Sequence, residues 1–286
     1  MNDKGYSVGS SQINDKASWR PSGPHAATSY VVCGVRMDGH SLETAVRQVI
    51  AKASPKSVHL CNAYTLSLAV RDRSYSTVLN NADLNLADGT PVAWIGRRLD
   101  PTMANNHVRG VDLMQACLHR GRATGVRHYL FGSTPETIEL LQRRIEQRWP
   151  GALVVGAVAP PFGDLTDDDL AAAAEAMNRS AADVVWVGLG TPKQDVVVDR
   201  LLALGAPTSV AVGAAFDFIA ETKAQAPSWV REHGLEWFHR LVTEPRRLWK
   251  RYLVGNTVFL WANIRSRPLL LPKVTSARAN VAERST

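Results

Sequence analysis

Short apolar runs alternate along this chain with stretches that carry a helical pattern. The runs cover residues 30–35, 57–61, 84–86, 128–131, 153–157, 184–187 and 209–212, and the helical stretches cover 42–53, 135–148, 167–178 and 192–204. Strand, loop, helix, strand is the order of parallel βαβ units. The run Val184-Val-Trp-Val187 is apolar without alternation, as in a strand covered on both faces. The pattern predicts an α/β fold, a Rossmann-like sandwich with a mostly parallel sheet. Past Val212 no strand pattern follows, and residues 227–267 read as two or three helices interrupted at Glu244-Pro245 and Gly255. The expected organisation is a flexible leader at 1–27, an α/β catalytic core at 28–226, a helical appendage at 227–267 and a flexible tail at 268–286.

Composition bounds the function without naming it. A chain of 286 residues, 45% hydrophobic and 21% charged, is ordinary globular protein and long enough for one large core. Its three cysteines, Cys33, Cys61 and Cys117, are odd in number and lack a CxxC, which argues against a disulfide framework or a zinc site and for a reducing compartment. The leader has no apolar h-region. The apolar run 252–264 is broken by Gly255, Asn256 and Asn263 and is too short for the ~20 residues of a membrane span. The expected location is therefore cytoplasmic and peripheral to the inner face of the cell membrane.

Charge sharpens that expectation. The formal net charge is +7, and residues 231–286 alone hold eleven Lys/Arg against four acids, so the whole excess lies there. Trp229, Trp237, Trp249 and Trp261 lie in or just before the same stretch. Cations mixed with amphipathic aromatics suit an anionic, partly apolar surface, either a membrane face or a lipid-linked phosphate.

In doubly wound sheets ligands collect beyond the carboxyl ends of the strands, so the strand-to-helix loops are where chemistry is sought. Gly188-Leu-Gly190-Thr191-Pro192-Lys193-Gln194 brings two glycines, a cation and an amide, and Pro192 as a first helical residue would leave N–H groups facing an anion. Asp88-Gly89-Thr90-Pro91 is either plain turn chemistry or a general base at the sheet edge. Ser133-Thr-Pro-Glu136 reads as a helix cap, with phosphate contact secondary. Gly213-Ala-Ala-Phe-Asp217-Phe218 has an aromatic pair suited equally to core or ligand shelf. Asp167-Asp168-Asp169 follows Thr166 and reads as an acidic helix start, so no metal is expected. Neither HExxH nor GxSxG occurs, which leaves zinc and serine hydrolysis without support.

Taken in order, several stretches resemble the WecG/TagA/CpsF family of bacterial glycosyltransferases (glycosyltransferase family 26). They are Asn62-Ala-Tyr-Thr65-Leu66, Asn81-Ala-Asp-Leu84 with Ala87-Asp88-Gly-Thr-Pro91, Arg109-Gly-Val-Asp112-Leu113 and Tyr129-Leu-Phe-Gly-Ser-Thr-Pro135, followed by Val187-Gly-Leu-Gly-Thr-Pro-Lys-Gln194, Gly213-Ala-Ala-Phe-Asp-Phe218, Gly234-Leu-Glu-Trp-Phe-His-Arg-Leu241 and Glu244-Pro-Arg-Arg-Leu-Trp-Lys-Arg-Tyr252. The resemblance implies an inverting, metal-independent and cofactor-free transfer of N-acetylmannosamine, its uronic acid or glucuronic acid from a UDP-sugar to a polyprenyl-diphosphate-linked saccharide in cell-surface polysaccharide synthesis. Asp88 falls on the family's general base and is assigned as catalytic with Thr65. Asn62, Asp112, Gly188, Gly190, Thr191, Lys193, Gln194 and Asp217 are assigned to substrate binding, together with Arg240, Arg247, Lys250 and Arg251 of the basic appendage.

The chain departs from the family pattern at Asp195 (Glu in the family), His107 (Arg), Glu221 (Gly) and Gln225 (Arg). A cation lost at 225 and an acid gained at 221 beside the pocket count against assuming an acidic donor by analogy. The competing reading is a non-catalytic nucleotide- or RNA-binding α/β protein with a basic tail. The glycosyltransferase reading expects an anionic membrane surface as partner and no nucleic acid.

Overall fold

In the computed structural model, residues 28–227, 229–230 and 236–271 are described; the expected leader and most of the expected tail lie outside them. Six strands build the main sheet: β3 (Ser57–Cys61), β4 (Leu84–Ala87), β5 (Arg127–Gly132), β6 (Leu153–Val158), β7 (Val184–Gly188) and β8 (Thr208–Ala211). Their order is β4-β3-β8-β7-β5-β6 and every pairing is parallel. β3, β4 and β8 are buried along their whole length, because helices cover both faces and no position faces water.

One face is packed by α1 (Leu42–Ile50), α5 (Gly110–Gly121), α6 (Pro135–Arg148) and α9 (Ala215–Ile219) around Val46, Met114, Leu141 and Phe216. Over β5, β7 and β8 the other face is packed by α7 (Asp167–Arg179) and α8 (Lys193–Ala203), through Leu170, Met177, Val198 and Leu201. Thr166 and Asp169 form a capping box that opens α7, which accounts for the acidic run structurally. All three cysteines are buried free thiols.

A third apolar cluster joins α2 (Ala63–Arg71), α3 (Arg73–Asn81) and α4 (Thr90–Leu99) to a hairpin of β1 (Ser29–Val32) and β2 (Val35–Asp38). The single strand expected at 30–35 is thus two. Cys33 and Gly34 both take positive φ, 54° and 77°, and turn the chain between Val32 and Val35.

The C-terminal region continues as α10 (Glu236–Thr243) and α11 (Pro245–Arg265). It also corrects two expectations. Leu269–Leu270 forms β9, antiparallel to β1, so a strand does follow Val212 and the tail expected from 268 is structured at its start. In addition, Phe259 and Ala262 of α11 are buried in the third cluster, so this helix is part of the core and not only an attachment to it. A Cβ on Gly255 would lie 3.2 Å from Ser67 Oγ and 3.3 Å from Tyr64, which is how closely α11 approaches α2. Among the described residues no helix is long and apolar enough to cross a membrane.

Candidate active site

Because the sheet is parallel, its carboxyl ends share one edge, and the site is built there from β4 outward. Asp88 follows the last residue of β4, and its N–H donates to Cys61 O at the end of β3 (3.0 Å). On the other side the chain returns after α4: Val108 N donates to Ala87 O at 2.9 Å, and His107 lies beside Ala87 like a further parallel strand one residue long. Asp88 therefore has Asn62 on one flank and His107 and Arg109 on the other. Burial raises its carboxyl above the usual aspartate range, and the negative charge of Glu236 raises it further. His107, Arg109 and the Asn62 amide oppose the shift. His107 itself is lowered, chiefly by burial, against the pull of Asp88. A carboxylate of increased basicity at a sheet edge is suited to accepting a proton from a hydroxyl.

Asn62 caps α2, its Oδ1 accepting from Tyr64 N (3.1 Å) and Thr65 N (3.2 Å), so its amide is oriented by the helix it opens. Thr65 is wholly buried and its hydroxyl donates to the same Oδ1 at 3.3 Å. That arrangement lets Thr65 act through Asn62. Asp112 is tied to Arg109, whose Nη1 is 3.2 Å from both of its carboxylate oxygens. Asp217 is held by Lys223 at 2.6 Å.

The β7–α8 loop has a different internal order from the one expected. Pro192 is the residue before α8, not its first helical one. Gln194 N donates to Gly190 O (2.9 Å), Gly190 N donates to Gln194 Oε1 (3.0 Å), and the N–H groups of Asp195 and Val196 go to Pro192 O. The expected set of free N–H groups is therefore largely consumed within the turn, since a helix start satisfies its own donors where it can. Gln194 is a clamp on the loop, and Lys193 reaches Gly163 O on the neighbouring β6–α7 loop. Gly188 is required by packing: a Cβ there would meet the Phe216 ring at 2.7 Å. Gly190, at φ 79°, makes the turn, with Thr191 next to it and partly exposed. Phe216 and Phe218 are buried, so the aromatic pair is core and not a ligand shelf. Thr134, not Ser133, caps α6, because the helix begins at Pro135.

Two departures from the family pattern have local explanations. Asp195 accepts from Tyr75 OH (2.7 Å) and pairs with His59 Nδ1 (3.0 Å), joining α8, α3 and β3 entirely inside the protein. Glu221, expected as an added charge beside the pocket, is instead matched by Arg148 and, at 2.8 Å, by Arg144 of α6. It keeps the left-handed φ of 61° that would suit glycine. At position 107 the cation is missing, but Arg109 supplies a guanidinium beside Asp88.

Glu236 is the residue that sequence reasoning passed over. Its carboxylate meets Arg109 side-on, with Oε1 3.1 Å from Nη2 and Oε2 3.1 Å from Nε. The two residues are 127 positions apart, and no local sequence pattern links them. Arg240, Arg247, Lys250 and Arg251 fall on α10 and α11, but their side chains lie outside the described residues. Among the described residues no group of three or more His, Cys, Asp or Glu is placed to hold a metal ion.

A family model described as Glycosyl transferase WecG/TagA/CpsF matches residues 30–270. The chain is also similar to the N-acetylglucosaminyldiphosphoundecaprenol N-acetyl-beta-D-mannosaminyltransferase of Bacillus subtilis (strain 168), 27% identical over 218 residues that make up 76% of this chain and 79% of the relative. To the protein of the same description from Staphylococcus aureus (strain NCTC 8325 / PS 47) it is 24% identical over 256 residues, 87% of this chain and 93% of that one.

Proposed function

The chain belongs to the WecG/TagA/CpsF family of glycosyl transferases, and from that premise we propose that it moves a sugar from a UDP-sugar to a saccharide carried on a polyprenyl diphosphate, with inversion at the anomeric carbon. The sugar is of the N-acetylmannosamine, N-acetylmannosaminuronic acid or glucuronic acid type, and the product feeds a cell-surface polysaccharide. The observation that carries this reading is Asp88, a carboxylate of raised basicity at the carboxyl edge of the sheet.

In this reading the Asp88 carboxylate takes the proton of the acceptor hydroxyl as its oxygen bonds to the anomeric carbon. The bond from that carbon to the UDP oxygen breaks on the opposite face, and its electron pair leaves with UDP. Asn62 holds the base, Thr65 holds Asn62, and Gln194 keeps the β7–α8 loop in shape against the donor. Charge on the departing UDP, or on the acceptor diphosphate, is met by Arg240, Arg247, Lys250 and Arg251, without a metal ion.

A peripheral place on the membrane is supported by α11. Leu248, Gly255, Phe259 and Ala262 are buried on one side, while Leu253, Leu260 and Ile264 are 65%, 61% and 79% exposed. Spacings of seven and four put those three on one stripe of the helix, away from the core. The test is a donor screen with purified protein, a short-chain lipid-diphosphate N-acetylglucosamine acceptor and a panel of UDP-sugars, scored by UDP release with and without EDTA. Release with none of the donors removes the proposal; release restored only by Mg or Mn removes its metal-free part.

A further inference from the structure

Arg109 joins the catalytic edge to the C-terminal helices. It is only 9% exposed, precedes α5 directly, and its guanidinium is occupied on two sides, by Asp112 within its own helix turn and by Glu236 from α10. The Glu236 contact is the two-point, side-on kind that fixes orientation as well as distance. Glu236 lies on α10, so the contact ties that helix to the segment that leads into α5. The Arg109 side chain is 11% exposed and that of Glu236 27%, so removing Glu236 strips one of two carboxylate partners from a largely desolvated guanidinium and loosens the hold on α10.

We propose that Glu236 is a positioning residue: by gripping Arg109 it docks α10 on the sheet edge, and Asp88 is a fully competent base only while that grip holds. The inference rests on Asp88 being the base in the reading above. Three acids, Asp88, Asp112 and Glu236, surround one guanidinium, with the imidazole of His107 beside Asp88 and the buried Cys61 thiol, which burial keeps protonated, at the end of β3. With Glu236 docked, its charge adds to burial in holding the Asp88 carboxyl up, while Arg109 is shared among competitors. Releasing Glu236 removes a negative neighbour and leaves Arg109 more available to Asp88. Both changes favour the ionised carboxyl and weaken it as a base. Docking of the helix and activation of the base are thus one event.

The test compares the full chain with Glu236→Gln and Glu236→Asp. Hydrogen exchange reports docking without substrate: Glu236→Gln is expected to speed exchange across residues 236–243 by about tenfold or more while the sheet stays protected. Titration of the Asp88 carboxyl, followed by carbon-13 NMR, is expected to move to lower pH in Glu236→Gln, and Glu236→Asp to fall between. With UDP-N-acetylmannosamine and the short-chain acceptor, kcat should drop by about tenfold with donor KM little changed, and the acidic limb of kcat/KM should move down in pH. Unchanged exchange, or an Asp88 titration that stays in place, overturns the proposal. Absence of turnover in the unmutated protein overturns the base assignment and leaves the exchange result to decide the docking contact separately.

Discussion

At the scale of single residues, two buried titratable groups both set a lower limit on the working pH. As the proposed base, Asp88 must be ionised to accept a proton, a condition that its raised carboxyl shifts to higher pH, and Asp88→Asn removes that group. Turnover is expected to fall by on the order of a hundredfold or more, within the usual range for a general base, with UDP affinity nearly kept by calorimetry. Near-normal turnover would take Asp88 out of the role. His128 lies in β5 and accepts the indole N–H of Trp186 at 3.2 Å, and burial pushes its imidazole down to about 4 from 6.5. The unfolded chain then binds the proton more tightly than the folded one, so stability is complete above 6.5 and lost as pH falls towards 4. The loss is on the order of 3 kcal/mol, from roughly 1.4 kcal/mol for each pH unit between the two values. Urea unfolding at stepped pH should show this slope, and His128→Gln should flatten it; an equal slope in both proteins would assign the acid loss to other groups.

At the scale of elements, the legible parts were those with a continuous local pattern. The six strands of the main sheet and the helices α6, α7 and α8 were readable because apolar runs and helical stretches each follow one period within one segment. The hairpin was hidden because a two-residue turn at Cys33-Gly34 leaves the apolar run nearly unbroken, and β9 because Leu269–Leu270 is defined only by its partner β1. The site divides in the same way. Asp88 was visible as an acid after a strand, whereas the roles of Arg109 and Glu236 depend on a contact between distant segments that no local pattern encodes. Thr65 and Gln194 fall in the first turns of α2 and α8, where burial turns their polar groups inward to Asn62 and Gly190. The largest revision concerns α11, whose buried face also completes the third cluster. Phe259→Ala should therefore cost about 3 kcal/mol in urea unfolding, as a large core truncation does, and a chain ending at Thr243 should lose stability as well as activity. Unchanged stability in both would return α11 to the status of a detachable appendage.

At the scale of the whole molecule, the excess charge is gathered at one end of the sequence, and of that end α10 reaches Arg109 and α11 packs on α2, beside the sheet edge that carries Asp88. The entire net charge of +7 equals that of residues 231–286, and α11 presents Leu253, Leu260 and Ile264 outward while its opposite face lies on α2, the helix that Asn62 caps. A helix is about 10 Å across, so a surface touching the outer stripe lies roughly one helix diameter from α2. On the proposed function that is a short reach for a saccharide whose lipid stays in the bilayer, and membrane contact would give the outer stripe of α11 a role that core packing does not. Full-length protein should co-sediment with vesicles rich in anionic phospholipid, and the binding should weaken as salt rises, since each surface cation contributes roughly 1 kcal/mol near such a membrane. Changing Leu253, Leu260 and Ile264 together to Ser should reduce sedimentation at least about tenfold, because apolar burial and charge act together at an interface. The unfolding midpoint should hardly move, since these side chains are exposed in the folded protein. With a soluble short-chain acceptor the same variant should turn over normally, which separates membrane contact from chemistry. Sedimentation unaffected by the three substitutions would mean that the stripe does not meet lipid, and retention on RNA in preference to vesicles at moderate salt would shift the balance to the nucleic-acid-binding reading.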